Sequence, residues 1–274
     1  MKLNYNAEQL GAMAHKIRVD VVESLHCAGS GHPGGSLSAA EILSVLYFRE
    51  MNVDPANPSW EDRDRFVLSK GHAAPVYYAA LAERGFFDTE LLKTLRKIDS
   101  PLQGHPDRKK VVGVDMSTGS LGQGISAAAG MACYAKKTGK GFRVYCVLGD
   151  GEMQEGEVWE ALMSAAHYKL DNMVVLLDNN NLQIDGAVDE VMSVYPIKDK
   201  VEAFGWNVLC VDGHNVDELC EALDKAAEHK GAPTFVICKT VKGKGVSFME
   251  NQVGWHGAAI DDEKYAIAMQ ELMN

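Results

Sequence analysis

The sequence predicts an α/β fold, a doubly wound, mostly parallel sheet flanked by helices, and three observations predict it. Two short apolar runs, "FRVYCVLGDG" and "NMVVLLDNNN", stop abruptly in acidic, amide and glycine residues, as buried strands do at a tight turn. The stretch between them, "EVWEALMSAAHYKL", has helical spacing. Two further apolar runs, Trp206 to Val211 and Thr234 to Cys238, flank a helical segment from Val216 to His229. Strands that alternate with helices in this way call for a parallel sheet with helices on its faces.

Each element follows from local pattern. Ala7 to Cys27 reads as an amphipathic helix that stops at "AGSGHPGGS", where glycines terminate it. Leu37 to Met51 reads as a second helix. In "RDRFVLSKGHAAPVYYAALAERG" a short strand, Phe66 to Leu68, precedes a turn holding Lys70 and His72, and another helix follows. "STGSLGQGISAAAGMACYAKK" is a helix whose start is crowded with glycine, alanine and serine, so that a ligand or a second helix can approach its backbone closely. The strand from Phe142 to Leu148 ends at Gly149-Asp150-Gly151 and leads into a helix expected to carry Glu152 and Glu155 in its first turn, where acidic side chains complement the helix dipole. The strand from Met173 to Leu177 ends in Asp178, Asn179, Asn180 and Asn181. No repeat or linker interrupts the pattern, so residues 1–274 are expected to form a single domain.

Composition narrows the function. A chain of 274 residues has room for one large core, and its apolar and charged fractions are those of an ordinary globular protein. A formal net charge of -11 argues against a nucleic-acid surface while leaving room for local phosphate-binding cations. Cys27, Cys133, Cys146, Cys210, Cys220 and Cys238 include no CxxC pair, so they are expected to be reduced core thiols rather than zinc ligands or a disulfide framework. "MKLNYNAEQL" has no secretory pattern and no apolar run approaches a membrane span, which makes a cytoplasmic protein without membrane association the expectation.

If the two acid- and amide-tipped strands are neighbours, Asp150 lies beside the asparagines at the carboxyl edge where open α/β sheets take ligands. A carboxylate, an amide oxygen and a free carbonyl are hard donors suited to Mg2+ or Ca2+, and Mg2+ commonly completes its shell with phosphate oxygens and water. Either stretch alone would serve as a surface turn. The repetition after successive strands points to a metal diphosphate. Four of the nine histidines, His32, His72, His105 and His256, sit in Gly/Pro-rich loops, where imidazole can bond phosphate or carry protons. His15, His26, His167 and His229 fall in helical segments and are expected to be structural, while His214, in "DGHN", has no assignment. "KTVKGKGV" lacks the first glycine and the Ser/Thr of a nucleotide-binding P-loop.

In order along the chain, "SGHPGG", "LSKGHA", "GHP", "TGSLGQGIS", "GDGEMQEGEVWEA", "NNNLQIDG" and "WHGAA" resemble the N-terminal, diphosphate-binding domain of transketolases, and they span nearly the whole sequence. The resemblance implies thiamine diphosphate as cofactor, held through Mg2+, with Ca2+ or Mn2+ as substitutes, by Asp150, Asn180 and the carbonyl of Leu182. It implies that His32 and His256 polarise or exchange protons with substrate oxygens at the reacting carbon and that His105 meets a sugar hydroxyl. His72 and Gly151 would contact the diphosphate, and Gly119, Ser120 and Leu121 would line the aminopyrimidine. Glu155, Ile184 and Lys242, with His256 again, would complete the cofactor site; for Lys242 a flexible surface loop is the alternative.

The family continues into pyrimidine-binding and C-terminal domains, which carry the glutamate that activates the aminopyrimidine and the arginines that hold the sugar phosphate, and these 274 residues contain neither domain. The resemblance therefore implies a split transketolase. Its N-terminal subunit would join a C-terminal partner subunit in a heterotetramer and move a two-carbon ketol unit from a ketose to an aldose, sugars or sugar phosphates, as in the pentose phosphate pathway. Two other readings stand beside this one. A subunit of a deoxyxylulose-phosphate synthase-like or α-keto acid dehydrogenase-like enzyme is disfavoured by "SGHPGG" and "WHG", and a non-catalytic module of the same fold by the intact Asp150, Asn180 and loop histidines.

Overall fold

The computed structural model describes residues 2–273, so Met1 and Asn274 of the expected 1–274 domain lie outside the described residues. Helix α1 (Ala7–Ala28) begins with a reciprocal cap: Asn6 Oδ1 accepts from the Gln9 amide at 2.9 Å, and Gln9 Oε1 accepts from the Asn6 amide at 3.0 Å. It ends at Gly29, whose φ of 65° is the left-handed conformation that glycine adopts without penalty. The helix expected from Leu37 to Met51 starts earlier and breaks into α2 (Pro33–Leu37), α3 (Ala40–Val45) and a π-type turn, Leu46–Glu50. Proline at the first position sets the start. Nearly every side chain from Pro33 to Phe48 is buried, so no polar face marks the internal breaks.

Strand β1 (Arg65–Leu68) leads through a 3-10 turn, Gly71–Ala73, into α4 (Ala74–Arg84). Helix α5 (Gln123–Thr138) and β2 (Val144–Gly149) follow. The sequence expectation fails just after β2: Glu152 lies in a 3-10 turn, Gly151–Gln154, and Glu155 is the N-cap of α6 (Gly156–His167), so neither glutamate is in the first turn of that helix. Burial of Glu152 explains the difference, because it bonds inward instead of facing solvent at a helix end. Next come β3 (Met173–Asn179), the short α7 (Val188–Val191) and α8 (Ile197–Ala203), and β4 (Asn207–Asp212). Helix α9 (Val216–Glu228), β5 (Thr234–Lys239) and α10 (Asp262–Met273) close the chain, with His229 at the C-cap of α9.

The five strands of the described residues pair in the order β1-β2-β3-β5-β4, all parallel. Alternate side chains of each strand feed two cores. Phe66, Tyr145, Leu176 and Val236 join α1, α3, α4 and α9 on one face. Val67, Cys146, Val175 and Phe235 join α5, α6 and α8 on the other. The handedness of parallel crossovers accounts for the helices that lead directly into the next strand. The connections β1 to β2, β2 to β3 and β3 to β4 progress across the sheet in one sense and bring α5, α6 and α8 to one face, whereas β4 returns to β5 and places α9 on the opposite face. Helix α4, early in the long β1 to β2 connection, packs on the α9 side before the chain crosses over. The thiol expectation holds only for Cys146 and Cys238, which are buried in strands; Cys210 is exposed on the edge strand β4, and Cys27, Cys133 and Cys220 are half-buried on helices, though all six are free. Among the described residues no helix is long and apolar enough to cross a membrane.

Candidate active site

The carboxyl ends of β2 and β3 lie side by side, Gly149 opposite Asp178. Asp178 is fully buried at the end of an apolar strand. Such a carboxylate needs donors, and it has four. Lys70 Nζ, from the turn after β1, donates to its Oδ2 at 2.5 Å, Ser38 Oγ at 2.6 Å and Asn180 Nδ2 at 3.1 Å, while Thr240 Oγ1 donates to Oδ1. Burial works to raise its pKa, but the Lys70 charge and these bonds prevail and hold it below the ordinary carboxylate value. Lys70, itself 1% exposed, also donates to the Gly35 carbonyl at 2.6 Å and so ties β1, β3 and α2 together.

Asp150 is equally secluded, 1% exposed, and differently served. Its Oδ1 accepts from the Gly151 amide at 2.8 Å and its Oδ2 from the Asn181 amide at 2.5 Å. Burial, reinforced by the Asp178 charge, pushes its pKa up to about 7. The Asn180 amide nitrogen is committed to Asp178, which leaves its Oδ1, accepting from the Leu182 amide at 3.1 Å, as the available oxygen. The Leu182 carbonyl accepts from Lys242 Nζ at 3.1 Å. A carboxylate short of positive charge, an amide oxygen and a carbonyl fit a hard divalent cation. Among the described residues no three His, Cys, Asp or Glu side chains group so as to hold a metal ion by themselves.

The four loop histidines converge. The His32 ring lies 5.3 Å from that of His72, 5.4 Å from His256 and 6.3 Å from His105, and His72 lies 5.1 Å from His256, centroid to centroid. Burial, followed by the charges around them, keeps the rings neutral: His32 and His256 are pushed down to about 4, with Arg96 the leading charge on the first and Lys242 on the second. His72 is well below its ordinary value, through burial and then Lys70, and His105 is lowered by burial and Arg96. Lys242 is 2% exposed, so it is no flexible surface lysine, and burial with Lys70 nearby pushes it down to about 8. Its ammonium lies 3.1 Å from His256 Nδ1, which must accept, so His256 carries its proton on Nε2. His32 Nδ1 is buried without a hydrogen-bond partner.

One cavity of about 240 Å³ gathers most of these groups. Asp150, Gly151, Glu155, Asn180, Leu182, Ile184, Leu121, His72, Lys242 and His256 all line it. Gly119 and Ser120 line a separate, smaller space of about 190 Å³. A Cβ added at Gly119 would stand 3.2 Å from His105 Cδ2, a tight contact at a φ of 156° that side chains rarely adopt, so glycine is favoured where the loop passes that ring. His32 and His105 line neither cavity and join the group through their rings. A more open cavity of about 1170 Å³ runs along the ends of β5 and β4 and shares Asn180 but none of the four histidines. Sequence reasoning missed the Lys70–Asp178 pair and the role of Glu152. The buried Glu152 carboxylate accepts from Ser69 Oγ at 2.5 Å and the amides of Gly122 at 2.9 Å and Gly149 at 3.1 Å. It also missed Arg96, which donates to Ser30 Oγ at 3.2 Å beside His32. The available signal was an ionisable residue set among apolar or small neighbours, in "VVLLD" and "LSKGHAA".

A parallel sheet whose strand ends form a polar cavity beside the reversal in strand order defines a doubly wound, ligand-binding α/β domain. Residues 10–273 match the family model described as transketolase, thiamine diphosphate binding domain. The chain is 46% identical over 259 residues to the 6-deoxy-6-sulfo-D-fructose transketolase subunit SqwG of Clostridium sp. (strain MSTE9), covering 94% of each chain. It is 47% identical over 262 residues to human transketolase, covering 94% of this chain and 41% of the human one. The crystal structure of transketolase from Campylobacter jejuni superposes with a TM-score of 0.92 at 36% identity, covering 98% of this chain and 43% of that one. The chain belongs to the family of transketolase N-terminal, thiamine diphosphate-binding domains. It spans about two fifths of the full-length transketolases it matches.

Proposed function

We propose that this chain is the N-terminal subunit of a two-chain transketolase that binds thiamine diphosphate through Mg2+ and, with a C-terminal partner subunit in a heterotetramer, transfers a two-carbon ketol unit from a ketose to an aldose. The observation that carries the reading is the single cavity in which Asp150, Asn180 and the Leu182 carbonyl stand beside Lys242, His72 and His256. The three oxygens would hold the metal, with Ca2+ or Mn2+ able to replace it. Lys242, His72 and the Gly151 backbone would meet the diphosphate, and Gly119, Ser120, Leu121, Glu155 and Ile184 would frame the rest of the cofactor. When bound, thiamine diphosphate supplies the nucleophilic carbon and electron sink that cleavage of a ketose carbon–carbon bond requires.

The chain's own part is orientation and proton traffic. His256 would present its Nε2–H to a substrate oxygen, with its Nδ1 held by Lys242. The neutral His32, with a bare hydrogen-bonding capacity at Nδ1, would exchange protons at the reacting carbon, and His105 would bond a sugar hydroxyl. A second chain is supported by two apolar residues on the cavity wall, Leu121 at 37% and Ile184 at 65% exposure, and by the near-complete match to a relative named as a subunit. Six unpaired cysteines suit a reducing compartment, the cytoplasm.

The test is reconstitution. This chain, a candidate C-terminal chain and their mixture are assayed for ketol transfer with thiamine diphosphate and Mg2+, using fructose 6-phosphate and 6-deoxy-6-sulfofructose as alternative donors. Activity is expected only in the mixture, and the preferred donor separates a sugar-phosphate enzyme from a sulfosugar one. Robust transfer by this chain alone would overturn the two-chain reading.

A further inference from the structure

We infer that His214, backed by Glu41 and Arg18, is a positioning residue that sets the Thr240–Lys242 segment and thereby aims the Lys242 ammonium into the cofactor cavity. The inference rests on the reading of that cavity given above. His214 lies in the turn between β4 and α9, where sequence alone assigned it nothing. Its Nε2 accepts the Val241 amide N–H at 2.9 Å. A nitrogen that accepts from an amide bears no proton, so the ring proton is on Nδ1, which donates to Glu41 Oε2 at 3.0 Å. Arg18 Nη2 donates to the same carboxylate oxygen at 2.5 Å. The three side chains are 8%, 10% and 14% exposed for Arg18, Glu41 and His214, so the relay runs out of bulk solvent. Burial works to raise the Glu41 pKa, and the bonds from His214 and Arg18 overcome it and keep the carboxyl ionised.

The relay acts at one peptide unit. Val241 stands between Thr240, whose hydroxyl bonds Asp178, and Lys242, whose Nζ reaches the Leu182 carbonyl and His256 Nδ1 at 3.1 Å each. On either side of the Val241–Lys242 pair the amides bond backbone, Thr240 to the Asn179 carbonyl at 3.2 Å and Gly243 to the Gly34 carbonyl at 3.0 Å. Between them, the Val241 amide is held by a side chain, that of His214. Arg18, Glu41 and His214 come from α1, α3 and the turn after β4, and none of them lines the cofactor cavity. Their tautomer-specific hold fixes the direction of the segment, as outer hydrogen bonds fix the ligands of a metal site.

Two near-isosteres separate positioning from simple packing. In His214→Gln the amide oxygen reaches the place of Nε2 and keeps the bond to Val241. In His214→Asn the shorter side chain reaches only the place of Nδ1 and keeps Glu41 alone. Ring 15N shifts of the full chain should report a bare Nε2 and a protonated Nδ1. Exchange of the Val241 amide should be faster in His214→Ala and His214→Asn and restored in His214→Gln. Thiamine diphosphate titrated with Mg2+ into the assembled complex should bind about tenfold more weakly to the Ala and Asn variants and near-normally to the Gln variant. In a Lys242→Met background the His214→Ala loss should vanish, because the two changes act through one ammonium. Additive losses in that double variant, or equal binding by the Asn and Gln variants, would overturn the proposal. If the unaltered complex binds no thiamine diphosphate, the cofactor reading fails, and the tautomer and amide exchange alone then decide whether His214 sets the segment.

Discussion

Asp178 and Asp150 end neighbouring strands within one residue of the same level, and both are buried, yet the protein treats them in opposite ways. Asp178 has a lysine, two hydroxyls and an amide, and its pKa is lowered. Asp150 has two backbone amides, and its pKa is pushed up to about 7. Burial is thus a poor guide to what a carboxylate does. The one whose charge the chain neutralises itself is a fastener, and the one whose charge is left short of a cation is suited to hold one.

The largest effect should come from breaking the fastener. Asp178→Ala leaves Lys70 buried without its counter-charge, and loss of one partner of such a pair destabilises by about 3–5 kcal/mol. Thermal or urea unfolding of the full chain should show a loss of that size. Stability close to wild type would erase the distinction between the two aspartates. Asp150→Ala should instead leave the unfolding free energy unchanged or raise it, since a buried carboxylate with an elevated pKa is removed. Metal-dependent binding of thiamine diphosphate to the assembled complex should weaken at least about tenfold, roughly 1.4 kcal/mol. Calorimetry with and without Mg2+ measures this, and unchanged affinity would take Asp150 out of the metal site.

Asp20 sharpens the comparison from a place remote from the cavity. It faces Glu83 across α1 and α4; burial, then the Glu83 charge, push its pKa from 3.8 up to about 7. Its Oδ2 has no hydrogen-bond partner, while Lys16 bonds Glu83 at 2.6 Å. The folded state keeps a proton that the unfolded chain releases, so this group's stability contribution is full below pH 3.8 and is lost as pH rises to about 7. Asp20→Asn should therefore stabilise the chain at pH 8 by about 1–2 kcal/mol, a value reduced for solvent screening, and the gain should disappear near pH 4. A gain that is the same at both pH values would show that packing, not charge, is responsible.

What could be read in the sequence depended on whether the cause was local. The strands were legible because apolar, β-branched runs end in Gly149-Asp150-Gly151 and in Asp178 to Asn181, and their parallel pairing follows from the intervening helices. The limits of α2 and α3 were not, because that segment is buried on all sides and shows no amphipathic period. Helix α10 escaped notice because only Ala268 and Leu272 of it are buried, too sparse a stripe to register. Asp150, Asn180 and the loop histidines announced themselves through their motifs. The Lys70–Asp178 bond spans 108 residues of sequence, and the His214–Glu41 bond spans 173, so only the folded chain reveals them.

Glu152 has a mechanical consequence. One buried carboxylate grips Ser69 at the end of β1, Gly122 at the start of α5 and Gly149 at the end of β2, so the loop bearing Leu121 and the turn bearing Asp150 cannot drift apart independently. The two lips of the cavity behave as a single casting. The ordering entropy of these segments is incurred when the chain folds rather than when a ligand or partner arrives, and whatever docks there meets a finished mould.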